Sequence, residues 1–181
     1  RQEAERLVAL INDIIHLSQL DEGGRLPMEK ADLLQLAQEA VRPLADLAAG
    51  SGVTVTVTGT PAVMTGVRRL LHEIVYNLCE NAVKYNVPGG SVTVTVGETA
   101  DSALLTVRDT GIGIPAAEQS RVFERFYRVD KSHSRAIGGT GLGLSIVKHA
   151  VACHHGTIRL ESEPGKGTVI TVTFPKAPPE S

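Results

Sequence analysis

Apolar positions recur first at a helical spacing. Leu7, Leu10, Ile14 and Leu17 stand three, four and three apart, with Val8 and Ile11 beside them. This is the seam of a helix that packs on other helices. A single helix of this length does not bury its own seam, so it needs a partner. The pattern ends at Asp21-Glu22-Gly23-Gly24, where paired glycines stop the helix. Asp32 opens a second helix, with Gln35 three residues later as in a capping box. Leu33, Leu36, Ala37, Ala40, Val41, Leu44 and Leu47 form its apolar stripe, and Pro43 inside the stripe predicts a kink or an early end. After Gly50-Ser51-Gly52 the period changes to two. Val53, Val55 and Val57 alternate with Thr54, Thr56 and Thr58, a strand with one wet face.

A third helix is expected over residues 67–85. Pro88-Gly89-Gly90 turns the chain into a strand carrying Val92, Val94 and Val96. A second strand over 103–107 follows a short turn, which predicts an antiparallel pair. Residues 115–139 mix a short helical stretch with charged and Gly-rich loop. A helix is expected from about Gly141 to Gly156, then strands over 158–161 and 168–174 joined by Pro164-Gly165-Lys166-Gly167. Strands joined by tight turns, each with one wet face, predict a two-layer α/β sandwich: a mixed, mostly antiparallel sheet with helices on one face, plus the N-terminal helix.

Composition narrows the function classes. The 181 residues are 42% hydrophobic, enough for one compact domain with a helical appendage. Eighteen Lys and Arg against 20 Asp and Glu leave a net charge of −2, which gives no footprint for nucleic acid or an anionic membrane. No apolar run approaches the roughly 20 residues of a membrane helix. The chain opens without Met and inside a helical pattern, which reads as a piece of a longer protein. Cys79 and Cys153 read as reduced, buried thiols. Cys153-His154-His155 is a poor metal site, because adjacent helical residues point in different directions.

Three places carry candidate chemistry. On the third helix, Asn77, Asn81 and Lys84 share one face, opposite Leu70, Leu71, Ile74, Leu78 and Ala82. Such a stripe offers oxygen ligands to Mg²⁺ and a positive charge to phosphate; the plainer reading is a solvated face with a Glu80–Lys84 ion pair. At Asp109-Thr110-Gly111-Ile112-Gly113-Ile114, a strand ends in a carboxylate and glycines turn the chain. A buried carboxylate there can accept from an exocyclic amine such as adenine N6, and it rejects guanine. The plainer reading is an ordinary turn. Third, Gly138-Gly139-Thr140-Gly141-Leu142-Gly143-Leu144 precedes an apolar helical pattern, and glycines opening a helix expose N–H groups to anions. It fits neither the phosphate-binding loop nor the dinucleotide fingerprint.

Together these segments resemble the catalytic ATP-binding domain of bacterial sensor histidine kinases, within the GHKL superfamily of ATPases. Residues 77–85 are similar to the family's N box and Asp109-Thr110-Gly111-Ile112-Gly113 to its first glycine box. Phe123-Glu124-Arg125-Phe126-Tyr127-Arg128 is similar to the F box, and residues 139–144 to the second glycine box. The resemblance runs from about Val53 to Pro175. It implies a Bergerat-type ATP-binding fold over residues 25–176, the end of a second dimerisation helix over 1–24, and a loose tail over 177–181. It implies Asn81 as Mg²⁺ ligand, Asn77 near metal and phosphates, and Lys84 and Arg128 facing phosphate. Tyr85, Gly111 and Ile114 would line the pocket; Asp109 would read adenine N6 with Gly113 near the base and Thr168 in support. Gly139, Thr140, Gly141, Leu142, Gly143 and Leu144 would contact the phosphates, and residues 115–138 would form the ATP lid, packed through Phe123 and Phe126.

The resemblance also implies a reaction. In gyrase-like relatives the residue four before the Mg²⁺ asparagine is a glutamate that activates water. Here it is Asn77, which is not a base at neutral pH, so phosphoryl transfer is favoured over hydrolysis. Glu73, one turn earlier, is an alternative base or a solvated acid. The expected acceptor is a histidine followed by an acidic residue and Arg-Thr-Pro; none of His16, His72, His133, His149, His154 and His155 has that context. The acceptor is therefore expected upstream, with a response regulator receiver domain as partner, a homodimer through the dimerisation helices, and a parent anchored in the plasma membrane with this domain in the cytoplasm. The alternatives are a GHKL-type ATPase clamp and a nucleotide-binding docking module without catalysis. Asn86 stands where the family more often has Thr or Ser.

Overall fold

The structure, a computed structural model, describes residues 27–124 and 143–177, together with Glu3, Ala4, Leu7, Val8, Leu10, Ile11, Ile14 and Ile15. Those N-terminal residues are helical, and Leu7, Val8, Ile11 and Ile14 are 44% to 58% exposed. The exposed seam is the unburied apolar face that its spacing predicts.

The body begins with β1 (Glu29–Asp32) and α1 (Leu33–Val41). Asp32 caps α1, its Oδ1 accepting from the Leu34 amide at 3.0 Å. Pro43 falls in a 3₁₀ turn, Arg42–Leu44, that separates α1 from α2 (Ala45–Ser51), where a proline's missing donor costs little. Gly52 closes α2 in the left-handed conformation at φ 68°. The chain continues through β2 (Thr54–Gly59), β3 (Val63–Gly66), α3 (Arg68–Lys84), β4 (Ser91–Glu98), β5 (Ser102–Asp109), a 3₁₀ turn (Ala116–Glu118), α4 (Gly143–Cys153), β6 (Thr157–Glu163) and β7 (Gly167–Pro175).

Five strands form one sheet in the order β2-β4-β5-β7-β6. β2 and β4 run parallel because α3 and β3 lie between them in sequence; every other neighbour pair is antiparallel. Helices α1, α3 and α4 cover one face, so Val92, Val94, Val96, Leu105, Val107, Val172 and Phe174 are buried while alternate positions meet solvent. Among the described residues no helix is long and apolar enough to cross a membrane.

Four sequence expectations are corrected. The pair β1–β3 forms a separate two-stranded sheet that no periodicity announced, because both strands are only four residues long. Leu47 is exposed, since the 3₁₀ turn rotates α2 away from the stripe of α1. Cys153 is exposed at the end of α4, whereas Cys79 is buried. The last helix stops at Cys153, three residues short of Gly156, and His155 takes a positive φ of 57°.

Candidate nucleotide site

The inward rows of three neighbouring strands each end in a polar side chain. On β5 the row runs Ala103, Leu105, Val107, Asp109; on β7, Phe174, Val172, Ile170, Thr168; on β6, Ile158, Leu160, Ser162. Register pairs Asp109 with Thr168 and Thr168 with Ser162, so the three polar groups form one line across the sheet. All three line a cleft of about 390 Å³ at the strand ends.

Asp109 is built into this line by backbone donors. Its Oδ1 accepts from the Gly111 amide at 2.9 Å and the Thr168 amide at 3.2 Å. Among the described residues no hydrogen bond reaches Oδ2. Burial raises the carboxyl from 3.8 to about 6, and the two amide bonds only partly oppose that rise. Thr168 and Ser162 share a hydrogen bond of 2.8 Å between their hydroxyls. Ser162 Oγ also accepts from the Ile114 amide at 2.8 Å and donates to the Gly167 carbonyl at 2.9 Å. The Gln119 carboxamide then donates to the Ile114 and Ser162 carbonyls, both at 2.9 Å.

The glycines of the turn are there for closeness of backbone. Gly113, at φ 74°, lies so near the Glu163 carbonyl that a Cβ would overlap it. Gly111 packs against the Tyr85 carbonyl, which accepts from the Ile112 amide at 3.1 Å. Asn86 gains a structural account here: its Nδ2 donates to the Ser91 carbonyl at 3.0 Å and its Oδ1 accepts from the Thr110 hydroxyl at 3.3 Å. It latches the end of α3 to the start of β4 and to the glycine turn.

The second part of the site is the corner where α4 begins against α3. A Cβ on Gly143 would stand 3.7 Å from Asn77 Oδ1 and 3.7 Å from Asn81 Nδ2. The structure thus brings the first described residue of α4 onto both asparagines, which are half-buried and without a side-chain hydrogen bond among the described residues. Lys84 Nζ is held by Glu80 Oε1 at 3.0 Å, so the ion pair that the spacing allowed is present. Glu80 also bonds Tyr76, whose hydroxyl is pushed up to about 12, first by burial and then by that bond. A hard divalent cation takes oxygen ligands. The Asn81 carboxamide fits that role: it offers an oxygen 3.9 Å from where a Cβ on Gly143 would stand. Among the described residues no cluster of three His, Cys, Asp or Glu offers a metal site.

Arg128, Gly139, Thr140, Gly141 and Leu142 lie outside the described residues, as does Phe126 of the expected lid. Phe123 is half-buried, and its neighbour Val122 is fully buried. The sequence reading passed over Ser162 and Gln119, and weighed His154 only as a metal ligand or phosphoacceptor. Ser162 left a trace, a polar residue where Ile158 and Leu160 lead one to expect a third apolar side chain. Gln119 left none.

Residues 66–178 match the family model described as histidine kinase-, DNA gyrase B-, and HSP90-like ATPase. The sensor-like histidine kinase SenX3 of Mycolicibacterium smegmatis is 42% identical over 182 residues, covering 99% of this chain and 47% of its own length. This chain therefore spans about half of that curated relative. Among solved structures, the mycobacterial sensor histidine kinase MprB superposes with a TM-score of 0.72 at 31% identity, covering 84% of this chain and 100% of that one. Full-length ShkA, solved in complex with AMPPNP, gives a TM-score of 0.84 at 25% identity, covering 100% of this chain and 38% of that one. The family match over residues 66–178, most of the chain, places it: the chain belongs to the histidine kinase-, DNA gyrase B- and HSP90-like ATPase family.

Proposed function

We propose that this chain is the ATP-binding catalytic domain of a two-component sensor histidine kinase. Residues 25–176 form that domain and residues 1–24 the end of a dimerisation helix. The observation that carries the reading is Asp109, a half-buried strand-end carboxylate with two hydrogen bonds on Oδ1 and, among the described residues, none on Oδ2, which is left for a ligand. Adenine N6 is a donor of the right kind, and a carbonyl at that position would leave the carboxylate unpaired. Thr168 supports Asp109 through its amide, and Gly111, Gly113, Ile114 and Tyr85 frame the base. Asn77, Asn81, Gly143, Leu144 and Lys84 face the phosphates, with Arg128 and residues 139–142 completing them. Asn81 is the side chain that would hold Mg²⁺, which supplies charge neutralisation on the phosphates.

Asn77 directs the reaction. A carboxamide takes no proton from water at neutral pH, so the γ-phosphoryl group goes to a positioned histidine on a dimerisation helix. A receiver domain then takes it. The exposed apolar seam of Leu7, Val8, Ile11 and Ile14 supports pairing of those helices between two copies, at the cytoplasmic side of a membrane-anchored parent.

Calorimetric titration with AMPPNP, with and without Mg²⁺, tests the nucleotide reading. Tight binding that weakens when Mg²⁺ is removed is expected, and no binding in either condition overturns it. Incubation with γ-labelled ATP tests the reaction. No stable label on the six histidines of this chain and no phosphate release are expected. Release that stops in Asn77→Ala points instead to the ATPase clamp.

A further inference from the structure

Ser162 is the hub of the polar line, and its hydrogen count is closed. A serine hydroxyl has one proton and two lone pairs. The proton goes to the Gly167 carbonyl at 2.9 Å, a stronger acceptor than a hydroxyl because a peptide oxygen carries more negative charge. One lone pair takes the Ile114 amide at 2.8 Å. The second is left for Thr168, 2.8 Å away, so Thr168 is the donor of that pair. Its only proton is then spent on Ser162, and Thr168 Oγ1 can act toward the cleft only as an acceptor. Asp109 Oδ2 stands in the same row and accepts as well.

We propose that Ser162 is a positioning residue that sets the purine specificity of the site: by holding the Thr168 hydroxyl proton, it leaves Thr168 and Asp109 side by side as acceptors, admitting a 6-amino purine and repelling a 6-oxo purine. Gln119 keeps the arrangement rigid by tying the Ser162 carbonyl to the Ile114 carbonyl. An exocyclic amine brings two donors to this edge. A carbonyl brings lone pairs against Asp109 and Thr168 together. Without Ser162, the Thr168 hydroxyl is free to turn its proton toward the cleft and welcome that carbonyl. This rests on the ATP-binding reading above and names the residue that sharpens it.

The test uses this chain with ATP and inosine triphosphate as probes, both with Mg²⁺, in calorimetry. In Ser162→Ala the preference for ATP over inosine triphosphate should fall by about tenfold, the value of one redirected hydrogen bond. Thr168→Val should lower the same ratio, and the double variant should lower it no further than the larger single change, because both act through one hydroxyl. Ser162→Thr keeps the hydroxyl and should restore the ratio. If Ser162→Ala is unfolded by circular dichroism, Ser162→Cys keeps the volume and gives the same comparison. An unchanged ratio, with both nucleotides weakened equally, overturns the inference and leaves Ser162 a purely structural residue; additive losses overturn it too. Failure of the unmodified chain to bind ATP overturns instead the functional reading beneath it.

Discussion

The two ends of α3 are built on opposite principles. At its start, Val67 has no side chain to cap the helix, and its amide donates at 2.9 Å to His154 Nε2 at the end of α4. His154 Nδ1 reaches the Ala150 carbonyl at 2.7 Å. A carbonyl only accepts and an amide only donates, so the ring is neutral with its proton on Nδ1. The imidazole is 3% exposed and sits edge-on to Phe174, with ring centroids 6.0 Å apart. Gly66 passes so close that a Cβ there would lie 2.8 Å from the ring. At the other end of α3, Asn77 and Asn81 keep their carboxamides uncommitted among the described residues, and Asp109 keeps one oxygen open there too. The polar groups named at the first end are satisfied, while the second end leaves groups for a ligand to satisfy. The first end should therefore govern stability and the second binding, and substitutions can separate the two.

The largest effect is expected at the closed end. His154→Ala removes a buried ring and orphans the Val67 amide, at a cost of about 3 kcal/mol. For a domain of this size that lowers Tm by roughly 10 °C. Below that temperature, the ATP dissociation constant should move less than about threefold. A binding loss as large as the stability loss would break the comparison. The pH dependence is a second readout. Burial, assisted by the His155 charge, lowers the His154 pKa from 6.5, against the pull of the Ala150 bond. A folded state that resists protonation loses stability as pH falls below the unfolded value. The unmodified chain should thus lose Tm on acidification below about pH 6.5, and His154→Ala should lack that component.

The next effect lies at the open end and has two signs. In Asp109→Asn the amide oxygen can keep the Gly111 and Thr168 bonds, which places the NH₂ group where Oδ2 stood, against the adenine amine. ATP affinity should fall by about 1.5–3 kcal/mol, a factor of roughly 10–100. Stability should rise. Asp109 titrates at about 6 in the fold against an ordinary value of 3.8, so the fold holds its proton more tightly than the unfolded chain does. The stability linked to that proton is complete below pH 3.8 and is lost as pH rises through about 6. At pH 8 the native carboxylate is charged and desolvated, and the variant should gain about 1–2 kcal/mol after solvent screening. At pH 4 that gain should vanish. Lower stability of Asp109→Asn at pH 8 would show that the carboxylate serves the fold rather than the ligand.

The difference between the ends also explains what could be read from sequence. Local periodicity marks α3, α4 and the valine strands, because the pattern of Val92, Val94 and Val96 or of Leu70, Leu71 and Ile74 is written within a few residues. Asp109 and the asparagines are legible because polar groups interrupt those patterns beside glycines. The closed end is illegible: His154 lies 87 positions from Val67, and nothing at either place records the other. The β1–β3 pair escapes for the same reason, four residues on each side being too short for a period. Ser162 falls between the two cases, visible as an interruption but interpretable only once register sets it beside Thr168.

The smallest effect tests whether the open end is uniform. Lys84 is tied to Glu80 at 3.0 Å, so unlike Asn81 it is already committed within the fold. An i,i+4 pair of this kind contributes about 0.3–0.5 kcal/mol. Lys84→Met should therefore change Tm by no more than about 2 °C. If the ammonium leaves Glu80 for phosphate when nucleotide binds, the variant should lose about threefold to tenfold in ATP affinity at low salt, less as ionic strength rises. Adenosine, which carries no phosphate, should bind the variant and the unmodified chain alike. Equal losses for ATP and adenosine would place Lys84 with the closed end, as a structural partner of Glu80. A loss confined to ATP places it with the asparagines, as a group whose partner in the fold gives way to the ligand.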